Sequence, residues 1–184
     1  SNKFPLNEND NTNNPASLYA ATKKSNEIIA QAYSNLYQMK CTGLRFFTVY
    51  GPLGRPDMAI YKFTKKMKEN KKINLFNNGD HMRDFTYVND VVSYIQKIIT
   101  KRNNKLHEIY NISNGKSHSL SKIIKIIENY FNIQFIKNNK KLQQGDVYKT
   151  LGSIKKIKKD FGQIKKTDIK IGLRKFFSWF KSYH

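Results

Sequence analysis

The stretch Ser17-Leu-Tyr-Ala-Ala-Thr-Lys23 begins a long helical pattern, and Arg45-Phe-Phe-Thr-Val-Tyr-Gly-Pro52 follows it as a short apolar run closed by turn residues. Ser17 is a fitting N-cap, and the pattern predicts a helix over about 18–38. Tyr19 and Lys23 stand four apart, which on a helix stacks them on one face. An ammonium can then sit beside a phenol. A phenol with an ordinary pKa of about 10 is a poor base at neutral pH, and a neighbouring cation favours its ionised form. The pair is therefore suited to taking a proton from an alcohol. The spacing alone occurs by chance in any lysine-rich chain, so the surrounding residues decide its meaning.

Working outward, residues 1–16 are polar and broken by Pro5 and Pro15, and read as a surface loop. Thr42 to Val49 reads as one buried strand. A Gly/Pro-rich loop over 50–57 and a helix over about 58–69 come next. Ile73 to Phe76 and Arg83 to Tyr87 read as extended pieces, Val88 to Thr100 as a helix, and Glu108 to Ile112 as a further strand. Ser119 caps an amphipathic helix reaching about Phe131, and a last helix over about 169–183 sets Ile169, Leu173, Phe176 and Phe180 on one face. Lys137-Asn-Asn-Lys-Lys141 reads as a loop and 153–159 as a solvated helix face.

Composition narrows the function classes. The 184 residues carry 34 Lys and Arg against 13 Asp and Glu, a formal net charge of +21. Such a balance can mark a partner of nucleic acid or anionic lipid. Here the lysines are spread along a chain rich in Asn and Ile, without a basic block or recognition motif, so biased composition explains the charge and no nucleic-acid partner is expected. The single Cys41 excludes an internal disulfide and fits a reducing cytosol. Its place beside an apolar strand suits packing. His81, His107, His118 and His184 lack metal-ligand spacing, so no metal is expected. No apolar run approaches the ~18 residues of a membrane span, and no signal-peptide pattern opens the chain.

Several stretches together resemble the extended short-chain dehydrogenase/reductase family of NAD-dependent nucleotide-sugar epimerases and dehydratases, and within it the UDP-glucuronate 4-epimerases. They are Pro15-Ala-Ser-Leu-Tyr-Ala-Ala-Thr-Lys-Lys-Ser-Asn-Glu27, Thr42-Gly-Leu-Arg-Phe-Phe-Thr-Val-Tyr-Gly-Pro52 with Gly54-Arg-Pro-Asp-Met58, and Arg83-Asp-Phe-Thr-Tyr-Val-Asn-Asp90. Tyr110-Asn-Ile112 and Gly145-Asp-Val147 follow in the same order. The resemblance implies an α/β fold: the C-terminal part of an extended Rossmann-type enzyme with a smaller α/β substrate domain. Residues 1–57 would be the tail of the NAD-binding domain and 58–184 mainly the nucleotide-sugar domain, with 108–112 returning to the Rossmann sheet.

Site roles follow from the same resemblance. Tyr19 is implied as the acid/base, and Lys23 as the cation that lowers its pKa and binds the nicotinamide ribose. Tyr50 is implied to line the nicotinamide side largely through its backbone. Thr48 and Arg55 are implied to contact the sugar carboxylate, for which a guanidinium is the natural bidentate partner; in water Arg55 would be an ordinary loop arginine. Arg83 resembles the family arginine that clamps the UDP diphosphate, with a salt bridge to Asp84 or Asp90 as its structural alternative. Phe76 lies where the family holds the uracil and equally suits a core strand. Asp146 resembles the acid beside the uridine ribose; upstream of it Lys141-Leu-Gln-Gln144 stands where many relatives carry a phosphate-binding Arg.

The expected activity of the complete protein is 4-epimerisation of UDP-glucuronate to UDP-galacturonate with bound NAD, in the cytoplasm, feeding surface-polysaccharide synthesis. A UDP-hexose 4-epimerase or nucleotide-sugar dehydratase is the alternative enzyme, which Thr48 with Arg55 argues against. The sequence has only nine glycines and none of the family's glycine-rich turn. It therefore reads as the C-terminal half of such an enzyme, with the catalytic Ser/Thr upstream. Its expected partners are an N-terminal half, in cis or in trans, and a second copy in a homodimer of the complete protein. An inactive truncated product or one half of a split enzyme is the alternative from another class.

Overall fold

The structure is a computed structural model that describes residues 3–101, 105–140 and 147–184. Helix α1 spans Leu18–Tyr37, capped by the Ser17 hydroxyl, which accepts from the Ala20 amide at 3.1 Å, and stopped by Gln38 in the left-handed region. Strands β1 (Cys41–Phe46) and β2 (Thr48–Tyr50) lead to α2 (Ala59–Lys68). Then come β3 (Ile73–Phe76), β4 (Met82–Tyr87), α3 (Val88–Thr100), β5 (His107–Ile112) and β6 (Ser117–Ser119). The chain closes with α4 (Leu120–Phe131), β7 (Lys137–Lys140), α5 (Lys155–Phe161) and α6 (Ile169–Tyr183). Among the described residues no helix is long and apolar enough to cross a membrane, and no cluster of side chains could hold a metal ion.

The strands form an α/β arrangement in three small sheets. β1 pairs in parallel with β5, from Cys41 opposite His107 to Phe46 opposite Ile112. β2 pairs in parallel with β4, which also takes β6 on its other edge in antiparallel fashion. β3 pairs in parallel with β7. The single strand expected over Thr42 to Val49 is therefore two. The chain crosses between sheets at Phe47, whose amide still donates to the Ile112 carbonyl at 3.2 Å before Thr48 takes up its place beside Phe85. An apolar run shows that a segment is buried, not which sheet receives each part of it.

Two further corrections have simple causes. Lys137 to Lys140 is strand β7 rather than loop, exposed along its length, with Asn138 Nδ2 donating to Asn74 Oδ1 at 3.1 Å. Its side chains are polar and exposed, so they carry no apolar signal of a strand. The N-terminal segment is pinned rather than merely lying on the surface. Leu6 exchanges backbone hydrogen bonds with Leu151 and Ser153, and the buried Glu8 carboxylate accepts from the Asn111 amide at 2.9 Å. At 153–159 the exposed lysines 155, 158 and 159 do lie on a helix, with Ile157 turned inward.

The larger core lies where α2, α4 and α6 close over β3 and β4. Tyr61, Ile123, Ile127, Leu173, Phe176 and Phe177 meet there. Tyr50, at the end of β2, sends its ring into this core, and its hydroxyl ends where a side chain on Gly172 of α6 would begin. A helical glycine costs about 1 kcal/mol relative to Ala, so Gly172 is the concession that seats Tyr50. A second core, with Val91, Tyr94, Tyr110, Ile157 and Phe161, covers one face of the β1–β5 pair with α3 and α5.

Candidate active site

The first turn of α1 presents Tyr19 and Lys23 together. Lys23 Nζ lies 5.3 Å from the centre of the Tyr19 ring, and Tyr19 is 72% exposed. Helical spacing delivers the ammonium to the phenol, as the motif requires. Behind them, Arg45 on β1 grips Glu27 of α1 with two bonds of 2.7 and 2.9 Å and donates to the Glu8 carbonyl at 3.1 Å. That bidentate contact is the main reason the Glu27 carboxyl titrates below its ordinary range. It fixes the register of α1 over β1, and so the height at which Tyr19 stands.

Thr48, Tyr50 and Arg55 border one small apolar pocket of about 30 Å³, with Met58, Ile60 and Phe85. The loop that carries Arg55 is set by Gly51, whose backbone lies at φ +146 and where a side chain would meet Val88. Arg55 is exposed and forks onto Asp57, Nε to Oδ1 at 3.0 Å and Nη2 to Oδ2 at 2.6 Å. Each partner shifts toward its charged form, Arg55 upward and Asp57 downward, chiefly through that hydrogen bond. Tyr50 differs from a simple lining residue. Its ring belongs to the core, and burial pushes its phenol well above the ordinary range; only its backbone is available to a ligand.

A larger cleft of about 330 Å³ opens beyond α2. Asp57, Lys62, Lys66, Phe76, His81 and Arg83 border it, over Leu75 and Leu120. Ala59, the first residue of α2, borders both pockets. Phe76 is half-buried at the end of β3 and borders the cleft. Arg83 Nη1 donates to the carbonyls of Met82 at 3.1 Å and Tyr148 at 3.2 Å. The carboxylates of Asp84 and Asp90 are turned elsewhere, to backbone amides and to Thr167. Asp146 lies outside the described residues.

Lys62, Lys66, His81 and Asp57 were not among the residues anticipated for the site. The lysines had a usable signal, the four-residue spacing on the helix after Arg55. In a chain this rich in lysine the spacing does not stand out. With Arg83 they give the cleft a cationic wall around an aromatic ring, a chemistry suited to an anionic group attached to a flat base.

Known proteins of similar sequence and structure identify the family. Protein CapI of Staphylococcus aureus is 41% identical over 98% of this chain and 59% of its own length. UDP-glucuronate 4-epimerase 4 of Arabidopsis thaliana is 39% identical over 99% of this chain and 45% of its own. The crystal structure of UDP-glucuronic acid 4-epimerase from Bacillus cereus, in complex with UDP-glucuronic acid and NAD, superposes with a TM-score of 0.87 at 30% identity. That match covers 93% of this chain and 55% of the other. The chain thus spans about half the length of these relatives. The profile of the NAD dependent epimerase/dehydratase family matches residues 1–113, well over half of the chain, and the chain belongs to that family.

Proposed function

We propose that this chain is the substrate-binding and acid/base portion of a UDP-glucuronate 4-epimerase. The observation that carries the reading is the sharing of one pocket by Thr48 and Arg55, with Ala59 bordering both that pocket and the cationic cleft. A uronate carboxylate would replace Asp57 in the Arg55 fork, exchanging one charge-assisted pair for another. The diphosphate would lie along Arg83 and Lys62, with the uracil against Phe76. In this reading α1 and the β1–β5 pair, residues 1–57 with 108–112, belong to the cofactor domain, and most of 58–184 to the sugar-nucleotide domain.

NAD fits the residues present in part. Tyr19 and Lys23 stand on an open face of α1 with exposed polar ends, suited to the hydroxyls of a nicotinamide ribose. When bound, NAD supplies the reversible oxidation at sugar carbon 4. Tyr19 holds and moves the proton of the 4-hydroxyl, and Lys23 stabilises the ionised phenol. Arg55 and the cleft tether the sugar nucleotide while the ring turns, so that the keto sugar stays in the site. Tyr19→Phe in the complete enzyme should abolish turnover and leave affinity for UDP-sugar within about twofold, since it removes the proton acceptor and little binding surface. Residual turnover above a hundredth of wild type would contradict the role.

A second reading, that the polypeptide acts with a separate N-terminal partner or is a truncated product, draws support from α1. Leu18, Ile29, Tyr33 and Leu36 are each at least half exposed, and Ser34 is the one buried residue of the helix. Apolar surface of this kind marks an interface. Co-expression with a segment carrying the glycine-rich turn should restore epimerisation if the halves complement each other.

A further inference from the structure

Asp84 follows Arg83 directly, yet it is fully buried and has no path to a ligand. Its carboxylate accepts three backbone N–H groups: Asn114 at 2.8 Å, Gly115 at 3.0 Å and Gly152 at 3.1 Å. Thr86 Oγ1 approaches it at 3.4 Å, and the ammonium of Lys166 rests on the neighbouring Asn114 carbonyl. Burial raises the Asp84 carboxyl pKa, and the amides and Lys166 oppose that rise. Four donors around one carboxylate are a full set for its lone pairs.

The three backbone donors come from two segments that border β4. One is the turn after β5. The other is the strap 148–152, which runs along the first residues of β4: the Met82 amide donates to Tyr148 O at 2.9 Å, and the Thr150 amide to Met82 O at 3.0 Å. The Asp84 amide donates to Thr150 Oγ1 at 3.1 Å, so Asp84 holds the strap by both its backbone and its side chain. The Tyr148 carbonyl of that strap accepts from Arg83, beside the Met82 carbonyl of β4. Gly152 lets the strap lie flush, since a side chain there would strike Ser113 and Phe47.

We propose that Asp84 is a positioning residue for the diphosphate subsite: by locking the strap 148–152 onto β4 it sets one of the carbonyls that orient Arg83 at the cleft. The proposal rests on the reading of that cleft as a UDP site. Asp84→Asn keeps the shape but turns an NH2 toward at least one of these amide N–H groups, so a contact of the Asp84 staple becomes repulsive.

Calorimetry of the purified chain with UDP and with uridine separates positioning from mere stability, because uridine lacks the groups Arg83 meets. Asp84→Asn should weaken UDP about tenfold, the scale of one charge-assisted hydrogen bond, and leave uridine within about twofold. Arg83→Ala should lose the same preference, and the double variant should lose no more than either alone. Should Asp84→Asn fail to fold, Gly152→Ala lifts the same strap and should show the same selective loss of UDP. Equal losses for UDP and uridine, or an unchanged UDP preference in a folded Asp84→Asn or Gly152→Ala variant, overturn the positioning role while Arg83→Ala upholds the cleft. A wild-type chain that binds UDP no better than uridine overturns the cleft reading and this proposal together.

Discussion

Helices α1 and α6 are the two long helices that flank the site, and they are built on opposite terms. α6 buries Ile169, Gly172, Leu173, Phe176, Phe177 and Phe180 in fifteen residues, while α1 buries only Ser34 in twenty. α6 closes a core that the chain completes from its own elements. α1 is held chiefly by polar fastenings, the Glu27–Arg45 fork and the Ser34 hydroxyl on the Leu106 carbonyl at 2.8 Å, with apolar side chains facing outward. The α6 side is thus self-supporting. The α1 side presents Tyr19 and Lys23 on a helix whose apolar side chains stay open.

The contrast breaks if matched truncations on the two helices cost the same. Phe177 is fully buried and meets Tyr130 at 4.7 Å between ring centres. Phe177→Ala should cost about 3–5 kcal/mol in chemical denaturation of the isolated chain. Leu36→Ala, at a side chain 75% exposed, should cost under about 0.5 kcal/mol. A large loss at Leu36 would mean that α1 is already covered, as by a second copy. Gly172→Ala sharpens the α6 side: the added methyl meets the Tyr50 hydroxyl, so the usual helix gain is overridden by about 1–3 kcal/mol of overpacking. An unchanged or raised melting temperature would show that Tyr50 swings aside freely.

The smallest effect is on the α1 side and depends on pH. Arg45 holds the folded-state pKa of Glu27 below its ordinary 4.5. The fork therefore stabilises the fold fully above about pH 4.5, and that share is lost as the pH falls through the depressed value. Glu27→Gln should lower stability near neutral pH and flatten the acid limb of the stability curve below pH 4.5. Asp84 has the opposite sign, because burial raises its pKa: its contribution is fully present below 3.8 and lost as the pH rises through the folded value. An unaltered acid limb in Glu27→Gln would place the acid sensitivity elsewhere.

How much of this was legible in the sequence depended on whether a side chain or a backbone carried the signal. Helices with polar caps and a one-sided apolar face stood out. Ser17 and Ser119 marked the starts of α1 and α4, and α3 and α6 showed their faces plainly. β7 did not, because an exposed strand of Lys and Asn carries no apolar signal and is recognised by its pairing with β3. The division at Phe47 was hidden because both halves are apolar. At the site, Tyr19, Thr48, Arg55, Phe76 and Arg83 were singled out through a resemblance; the structure puts Thr48 and Arg55 on one pocket, Phe76 and Arg83 on a second cleft, and Tyr19 exposed on α1. Asp57 in the Arg55 fork and the Asp84 staple were invisible, since each depends on where a loop or strap returns.

The central claim is that Arg55 reads a carboxylate on the sugar, and binding to the complete enzyme tests it directly. Titration of UDP-glucuronate and UDP-glucose into wild type and Arg55→Ala is the measurement. Loss of one charge-assisted bidentate contact is worth on the order of 1.5–3 kcal/mol, so Arg55→Ala should weaken UDP-glucuronate roughly ten- to a hundredfold and spare UDP-glucose. Equal weakening of both sugars would contradict the account, leaving Arg55 a loop residue paired with Asp57 and the uronate specificity without its recognising group.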